Sequence, residues 1–223
     1  MFFSCHLIIV FIKWRQETIF NSSNSITFAR IILVFIIAYL LLLGNINIYL
    51  ISSVLIFILI VLDGVDGFVA RKLNSVTEFG EVFDIVGDRI VENVLWLTFA
   101  FTGVIPLWIP IVVLTMSFIA DGFRSYALSK GKTAFGRKSM MRGGIGIFFV
   151  SSRFSRALYG IVKTLAFILL ALQLYLTGIS YVGIEIFKDV AYSLVSFTVA
   201  FCVVRGFFTV YDGFKLFTIH RSQ

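Results

Sequence analysis

Charged residues, cysteine, histidine and proline are all scarce in this chain of 223 residues. Only 14% of the residues are charged and 59% are hydrophobic, with a mean hydropathy of +1.00. That composition excludes an ordinary soluble domain and indicates an integral membrane protein. The two cysteines, Cys5 and Cys202, lie far apart in apolar surroundings and give no disulfide framework. The two histidines, His6 and His220, lie near the ends, so a Cys/His metal cluster is excluded as well.

The basic residues outnumber the acidic ones, which gives a formal net charge of +7. They do not form a polar domain that would bind nucleic acid. They lie at the edges of apolar runs, and the connections at 44–47, 102–105 and 177–184 contain no Lys or Arg. The positive-inside rule therefore predicts a multi-pass protein of the cell membrane with both termini in the cytoplasm. Lys188 is the one basic residue that falls near the outer end.

The apolar runs predict an all-α integral membrane fold with six transmembrane helices. We expect these helices over about 26–43, 46–71, 79–101, 105–129, 157–177 and 190–212. The fourth is entered at Pro106, where a helix start tolerates proline. The sequence 130–156 is basic and glycine-containing, and it predicts a loop with an amphipathic piece over 146–154.

The first apolar stretch, residues 1–13, is too short to span a membrane and predicts an interfacial helix. A start codon chosen too early is the alternative. We therefore divide the chain into an N-terminal interfacial or cytoplasmic segment, 1–25, and a single membrane domain, 26–218. An interfacial turn is expected just before the sixth helix, where Glu185, Lys188 and Asp189 lie.

Four aspartates interrupt the apolar pattern where the second predicted helix ends and the third begins. On the first of these helices, two aspartates, two small residues and an arginine lie at offsets 0, 3, 4, 7 and 8. On the next helix, a glycine and two aspartates lie at offsets 0, 4 and 8. Each set forms one stripe, so two neighbouring helices bring four carboxylates into one volume. The residues are Asp63, Asp66, Gly67, Ala70 and Arg71, then Gly80, Asp84 and Asp88.

Four carboxylates in a membrane protein need compensating charge. Insertion scales put each central Asp at roughly +2.5 to +3.5 kcal/mol, so four cost on the order of 10 kcal/mol. Divalent cations remove both this cost and the mutual repulsion, and carboxylate oxygens suit Mg²⁺. The alternative is a pair of charged helix ends in a solvated loop, pairing with Arg71 and Arg89. That alternative accounts for any single Asp but not for two matched stripes.

All eight residues of the two stripes, at this spacing, resemble the signature of the CDP-alcohol phosphotransferase family. The resemblance implies six transmembrane helices around a polar cavity open to the cytoplasm, arranged as a homodimer. It also implies the reaction, in which a phosphoalkyl group passes from a CDP-linked lipid, CDP-diacylglycerol or CDP-archaeol, to an acceptor hydroxyl and CMP is released. Two Mg²⁺ ions, with Mn²⁺ as an alternative, would clamp the diphosphate.

The resemblance assigns a role to each residue of the motif. Asp63, Asp66, Asp84 and Asp88 are the expected metal ligands. Asp88 is also the expected general base, since the acceptor hydroxyl must lose its proton near the metals. The residues expected to line the CDP site are Gly67, Ala70, Arg71 and Gly80, joined by Asn24 and Thr27 from an Asn-x2-Thr-x2-Arg pattern that ends at Arg30. An N-cap with a snorkelling Arg30 is the simpler explanation of that pattern.

Three cations on three predicted helices, Arg124, Lys163 and Arg205, lie near the cytoplasmic side. They are expected to converge on the phosphate of a phosphorylated acceptor. The alternative is that each snorkels or pairs locally, for example Arg124 with Asp121. Members that make phosphatidylglycerol phosphate show a Gly-Lys-x-Lys-Thr run where this chain has Gly160 to Thr164 with one lysine.

Three functions remain open at this point. The first is transfer to glycerol 3-phosphate, and the second is the same chemistry with inositol phosphate, serine or another alcohol. The third is a cation transporter whose intramembrane aspartates bind the transported ion. A transporter more often shows inverted repeats or broken helices, and the sequence shows neither.

Overall fold

The computed structural model describes residues 22–72, 78–129 and 146–220. These residues form six long α-helices and one short π-helix, Ile147–Ser151. The predictions for residues 1–21 and for most of the basic segment 130–156 lie outside the described residues. So do the side chains of Asp66, Gly67, Ala70 and Arg71. The α-helices are α1 Ser22–Leu42, α2 Ile46–Lys72, α3 Glu78–Phe101, α4 Trp108–Ser129, α5 Arg153–Gly178 and α6 Ile184–His220.

These six helices confirm the all-α membrane fold. Five of them, in the part of the chain that the structure describes, are long and apolar enough to cross a membrane. The exception is α3, which is 24 residues long but carries six charged side chains. The 37-residue helix α6 also carries six, so charge is denser on α3 than on α6.

The turns at one end of the bundle are short and use glycine where the backbone requires it. Gly44, after α1, and Gly103, after α3, have φ of 72° and 76°, a region that side chains with a Cβ rarely occupy. Tyr192 on α6 donates a hydrogen bond of 2.6 Å to the carbonyl of Val104 in the α3–α4 turn. These turns are the connections that lack Lys and Arg.

Four helix starts differ from the sequence prediction. Helix α1 begins at Ser22, four residues early, and α4 begins at Trp108, so Pro106 lies before the helix and does not open it. The other two differences concern α5 and α6. The helix α5 begins at Arg153, within the predicted loop, because Ser152 caps it: the backbone N–H of Ser155 donates to Ser152 Oγ at 3.0 Å. The helix α6 begins at Ile184, so Glu185, Lys188 and Asp189 lie in its first turns and not in a separate interfacial turn.

The helices pack in a closed order. Helix α1 contacts α2 and α3, α2 contacts α5, α5 contacts α6, α6 contacts α4, and α4 contacts α3. The fully buried rings of Trp96 and Phe99 on α3 pack against Phe167 on α5, with ring centroids 4.8 and 6.0 Å away. These aromatic contacts fix α3 next to α5 on the inside of the bundle.

Helix α1 approaches α3 closely at Gly87. A Cβ placed on Gly87 would lie 2.6 Å from Cγ2 of Thr27, which is 2% exposed. Gly87 lies between Asp84 and Asp88 in sequence, so this contact sets the distance between α1 and the acidic stripe.

Candidate active site

Three of the four predicted aspartates meet at the same end of the bundle. Asp63 from α2 joins Asp84 and Asp88 from α3, and one carboxylate oxygen from each lies within 4.8 Å of the others. The three side chains are 45%, 47% and 49% exposed, so a ligand can reach them from outside the helix core. The fourth, Asp66, is one turn beyond Asp63 on α2, with its side chain outside the described part of the structure.

Helix α1 places a buried cation against this cluster. Arg30 is 3% exposed, and its Nη2 contacts Oδ1 of Asp63 and lies 2.8 Å from Oδ1 of Asp88. Its Nη1 lies 3.6 Å from Oδ1 of Asp84. One guanidinium therefore reaches all three carboxylates and balances part of their charge, which is how they can lie so close together.

The donor set fits a divalent cation. A Mg²⁺ ion with bonds of about 2.1 Å holds its ligand oxygens about 3 to 4.2 Å apart, so carboxylates within 4.8 Å need only small movements to share one. Hard oxygen ligands that leave room for water and phosphate are those that Mg²⁺ prefers. Asp63, Asp84 and Asp88 are the residues that would hold it.

The residues expected in the CDP site are placed in part. Gly80 lies on α3 one turn before Asp84. Asn24 and Thr27 lie on α1, two turns and one turn before Arg30, and they are 5% and 2% exposed. These two side chains face the interior beside the acidic cluster, and their role toward a nucleotide stays a prediction.

A second group of charged side chains begins one turn further along α3. We call it the buried network. It joins four helices through Arg89 and Glu92 on α3, Asp121 and Arg124 on α4, Tyr159 and Lys163 on α5, and Arg205 on α6.

Two carboxylates hold the buried network together. Glu92, 3% exposed, accepts from Lys163 Nζ at 2.9 Å and Arg89 Nη1 at 3.2 Å. Asp121 accepts from Arg89 Nε at 3.0 Å and from Arg124 Nη1 at 2.8 Å. Four cations against two carboxylates leave the network with a net charge of +2.

Among the described residues, Arg205 is the one cation of the buried network whose side chain contacts no carboxylate. Its guanidinium makes no hydrogen bond or ion pair with these residues, and its central carbon lies 5.0 Å from the centroid of the Tyr159 ring. The Tyr159 hydroxyl donates to Glu92 Oε1 at 3.0 Å. A cation stacked on an aromatic face keeps its N–H donors available for an anion.

The structure brings together the three cations predicted to bind an acceptor phosphate. Arg124, Lys163 and Arg205 all belong to the buried network. The local pair of Arg124 with Asp121 is also present, so the two interpretations describe the same arrangement. The phosphate-binding role of these residues stays a prediction.

Sequence reasoning missed Glu92 and Tyr159. Glu92 continues the stripe of Gly80, Asp84 and Asp88 by one more step of four residues, so the same periodicity would have found it. A carboxylate inside an otherwise apolar run is a second signal. Tyr159 carries no comparable signal, because one tyrosine among many aromatic residues in a membrane chain is ordinary.

The fold and the two groups of side chains define a class of protein: a multi-pass membrane protein with a carboxylate cluster that could hold a divalent metal, next to a group of cationic side chains. Comparison with known proteins agrees with this class. Residues 20–204 match the family described as CDP-alcohol phosphatidyltransferase. The chain belongs to this family, which removes the argument for a cation transporter.

Relatives in several bacteria carry the name CDP-diacylglycerol–glycerol-3-phosphate 3-phosphatidyltransferase. The chain is 31% identical to the Bacillus subtilis protein of that name, over 51% of this chain and 65% of the relative. It is 26% identical to the Rickettsia typhi protein, over 72% of this chain and 94% of the relative, and 37% identical to the Aquifex aeolicus protein, over 36% and 44%. The matched segment thus spans just under two thirds of the Bacillus relative and almost all of the Rickettsia one.

Proposed function

We propose that this protein is a membrane enzyme of phospholipid synthesis that transfers the phosphatidyl group of CDP-diacylglycerol to glycerol 3-phosphate and releases CMP. The observation that carries the proposal is the pair of sites on α3. The carboxylates of Asp84 and Asp88 face a site for metal and diphosphate, and Glu92, about 6 Å further along the axis, anchors a network with a net charge of +2. The names of the relatives agree with this choice of donor and acceptor.

The acidic cluster is the place for the CDP-linked lipid. Two bound divalent ions would neutralise the diphosphate and the charge that develops on the leaving CMP. Asp63, Asp84 and Asp88 would hold the ions, and Asp66 is the fourth ligand that the sequence motif predicts. Arg30 then exchanges part of its contact with carboxylates for phosphate oxygens, since the guanidinium is complementary to both.

The buried network is the place for the phosphate of the acceptor. A phosphomonoester carries a charge of about −1.5 to −2 near neutral pH, which matches the charge of the network. Arg205 offers donors that no carboxylate in the described part of the chain uses, and Lys163 and Arg124 belong to the same network. The separation of about one helical turn between the two sites is comparable to the length of a three-carbon glycerol chain.

The chemical step follows from this placement. The primary hydroxyl of glycerol 3-phosphate attacks the phosphorus atom that carries the diacylglycerol, and a new P–O bond forms as the bond to CMP breaks. Asp88 accepts the hydroxyl proton, because it is the carboxylate nearest along α3 to the network. The proton is later lost to solvent, to which the half-exposed cluster is open.

Two further features belong to the proposal. The site faces the cytoplasm, since the helix ends that surround it adjoin the basic segments of the chain. The protein is a homodimer, as the family resemblance implies, and chemical cross-linking in native membranes is the direct measurement of this.

An acceptor panel tests the proposal. Membranes containing the protein are supplied with Mg²⁺, CDP-diacylglycerol and one of glycerol 3-phosphate, glycerol, inositol phosphate, inositol or serine, and both CMP and the lipid product are measured. We expect product with glycerol 3-phosphate. Product with serine or inositol instead would show that the acceptor is wrong, and no CMP with any acceptor would refute the enzyme assignment.

A matched pair of variants tests the site. Asp84→Asn should abolish turnover and leave expression and membrane insertion intact, because it removes one carboxylate from the metal site. Asp189→Asn is the control, since Asp189 is an exposed acid on α6 near the opposite end of the bundle. Activity retained in Asp84→Asn would contradict the metal assignment.

A further inference from the structure

Glu92 is a buried carboxylate with partners on three sides, and the proposed chemical step does not use it. It is 3% exposed, and its two oxygens accept from Lys163, Arg89 and the hydroxyl of Tyr159. Burying a carboxylate is costly unless it is paired and hydrogen-bonded. A wholly apolar residue at this position would serve the core better, so the carboxylate calls for a function.

The partners of Glu92 lead to the two cations that face the acceptor. Lys163 is held directly, through the contact of 2.9 Å. Arg205 is held indirectly: Glu92 fixes the Tyr159 hydroxyl at 3.0 Å, and the Tyr159 ring lies under the Arg205 guanidinium at 5.0 Å. Lys163 Nζ also lies 5.2 Å from the centroid of the same ring.

We propose that Glu92 and Tyr159 are positioning residues that orient Lys163 and Arg205 toward the phosphate of the acceptor. The inference rests on the proposed function, and it assigns to these two residues the selection of phosphorylated over unphosphorylated acceptors.

The physical reason lies in the flexibility of the two cations. Lys and Arg have long side chains with many rotamers, and binding a phosphate with them costs the entropy of ordering those chains. Glu92 orders Lys163 with one of its three donors, and the Tyr159 face orders Arg205 without using any N–H donor. The pocket is therefore arranged before the acceptor arrives.

The geometry also explains why the anchor is a glutamate. All three partners donate to it, and a carboxylate has only acceptors to offer. A glutamine has one oxygen and one NH₂ group, so it keeps the volume but cannot accept at both positions. Glu92→Gln thus changes the anchor and leaves the packing of the helices in place.

Kinetic constants for the two substrates test the inference. We expect Glu92→Gln to raise the KM for glycerol 3-phosphate by about tenfold, the effect of losing a hydrogen bond to a charged group, with the KM for CDP-diacylglycerol unchanged. Tyr159→Leu, which removes the ring, should do the same, while Tyr159→Phe, which keeps it, should have a smaller effect. The matched control is Glu185→Gln, which breaks the exposed pair with Lys188 at 2.8 Å and should change neither KM.

A double variant shows whether Glu92 acts through Lys163. Lys163→Met alone should raise the KM for glycerol 3-phosphate, and adding Glu92→Gln should then raise it by much less than tenfold, because the residue that Glu92 positions is gone. If the rise in KM of the double variant equals the product of the two single rises, the inference is overturned, because Glu92 then acts independently of Lys163 in a purely structural role. If Glu92→Gln does not fold, the comparison of Tyr159→Leu with Tyr159→Phe decides the question.

The outcomes separate this inference from the proposed function. If the unaltered protein turns over glycerol 3-phosphate and Glu92→Gln leaves its KM unchanged, the positioning role is wrong and the function stands. If the unaltered protein uses another phosphorylated acceptor, the function is wrong, and the same comparison with that acceptor tests the positioning role. Turnover with only unphosphorylated acceptors would overturn both.

Discussion

Replacing Gly87 by alanine is expected to damage the site without touching any charged residue. The added Cβ would lie 2.6 Å from Cγ2 of Thr27, whereas ordinary carbon contacts begin at about 3.5 Å. Thr27 is buried and β-branched, so it has little freedom to turn away. Helix α1 must therefore retreat from α3 by close to 1 Å.

The retreat has two consequences of different size. Overpacking costs about 1 to 3 kcal/mol of stability, and alanine returns up to about 1 kcal/mol through its better helix propensity. The net loss of stability is thus small. Arg30, one turn along α1 from Thr27, moves with the helix relative to Asp84 and Asp88. A displacement of about 1 Å in a catalytic site costs about 100-fold in rate.

The assay compares three variants in the CMP-release reaction and in thermal unfolding in detergent. Gly122→Ala is the control, because a Cβ on Gly122 meets no atom within 4 Å, so we expect full activity and slightly higher stability. The third variant adds Thr27→Ser to Gly87→Ala. This substitution removes the clashing methyl group and keeps the hydroxyl, so the double variant should regain much of the activity that Gly87→Ala loses. A Gly87→Ala protein as active as Gly122→Ala would refute the reasoning, and so would failure of Thr27→Ser to restore any activity.

Three other variants test separate parts of the structure. Arg30→Gln removes the cation that balances the three carboxylates. After EDTA treatment, adding Mg²⁺ should therefore raise the melting temperature of this variant by more than that of the unaltered protein. An equal or smaller rise would contradict the balancing role. Arg205→Ala should raise the KM for glycerol 3-phosphate at least tenfold and leave that for CDP-diacylglycerol unchanged; equal effects on both would place Arg205 in the nucleotide site. Trp96→Ala, at a fully buried position, should cost about 3 to 5 kcal/mol of stability, whereas Trp108→Ala, 55% exposed, should cost far less in the same unfolding measurement.

Much of the fold was predictable because a membrane imposes long apolar helices. The four bounds of α2 and α3 agree with the predicted spans to within a residue, since glycine, asparagine and the charged motif interrupt the apolar pattern clearly there. The starts of α5 and α6 were not predictable to that precision. Ser152 is one of several polar residues that could cap α5, and the polar residues before the sixth apolar run are compatible with either a turn or a helix.

The candidate site was predictable where one helix carries the whole pattern. The spacing of Asp84 and Asp88 on α3 requires only helical periodicity. The contact of Arg30 with these aspartates could not be predicted, because it depends on how closely α1 packs at Gly87, and two helices far apart in sequence must be placed first. The ring contact of Tyr159 with Arg205 depends in the same way on the packing of α5 against α6.

The two groups of charged side chains come mainly from different halves of the chain. The acidic cluster draws on α1, α2 and α3, whereas the buried network draws on α3, α4, α5 and α6. Helix α3 alone takes part in both. Under the proposed function, the first three helices bind the CDP-linked lipid, and the last three supply most of the cations for the acceptor. The acceptor alcohol can therefore change through substitutions in the last three helices alone. A chimaera that joins the first three helices of one relative to the last three of another should use the acceptor of the relative that supplies the last three.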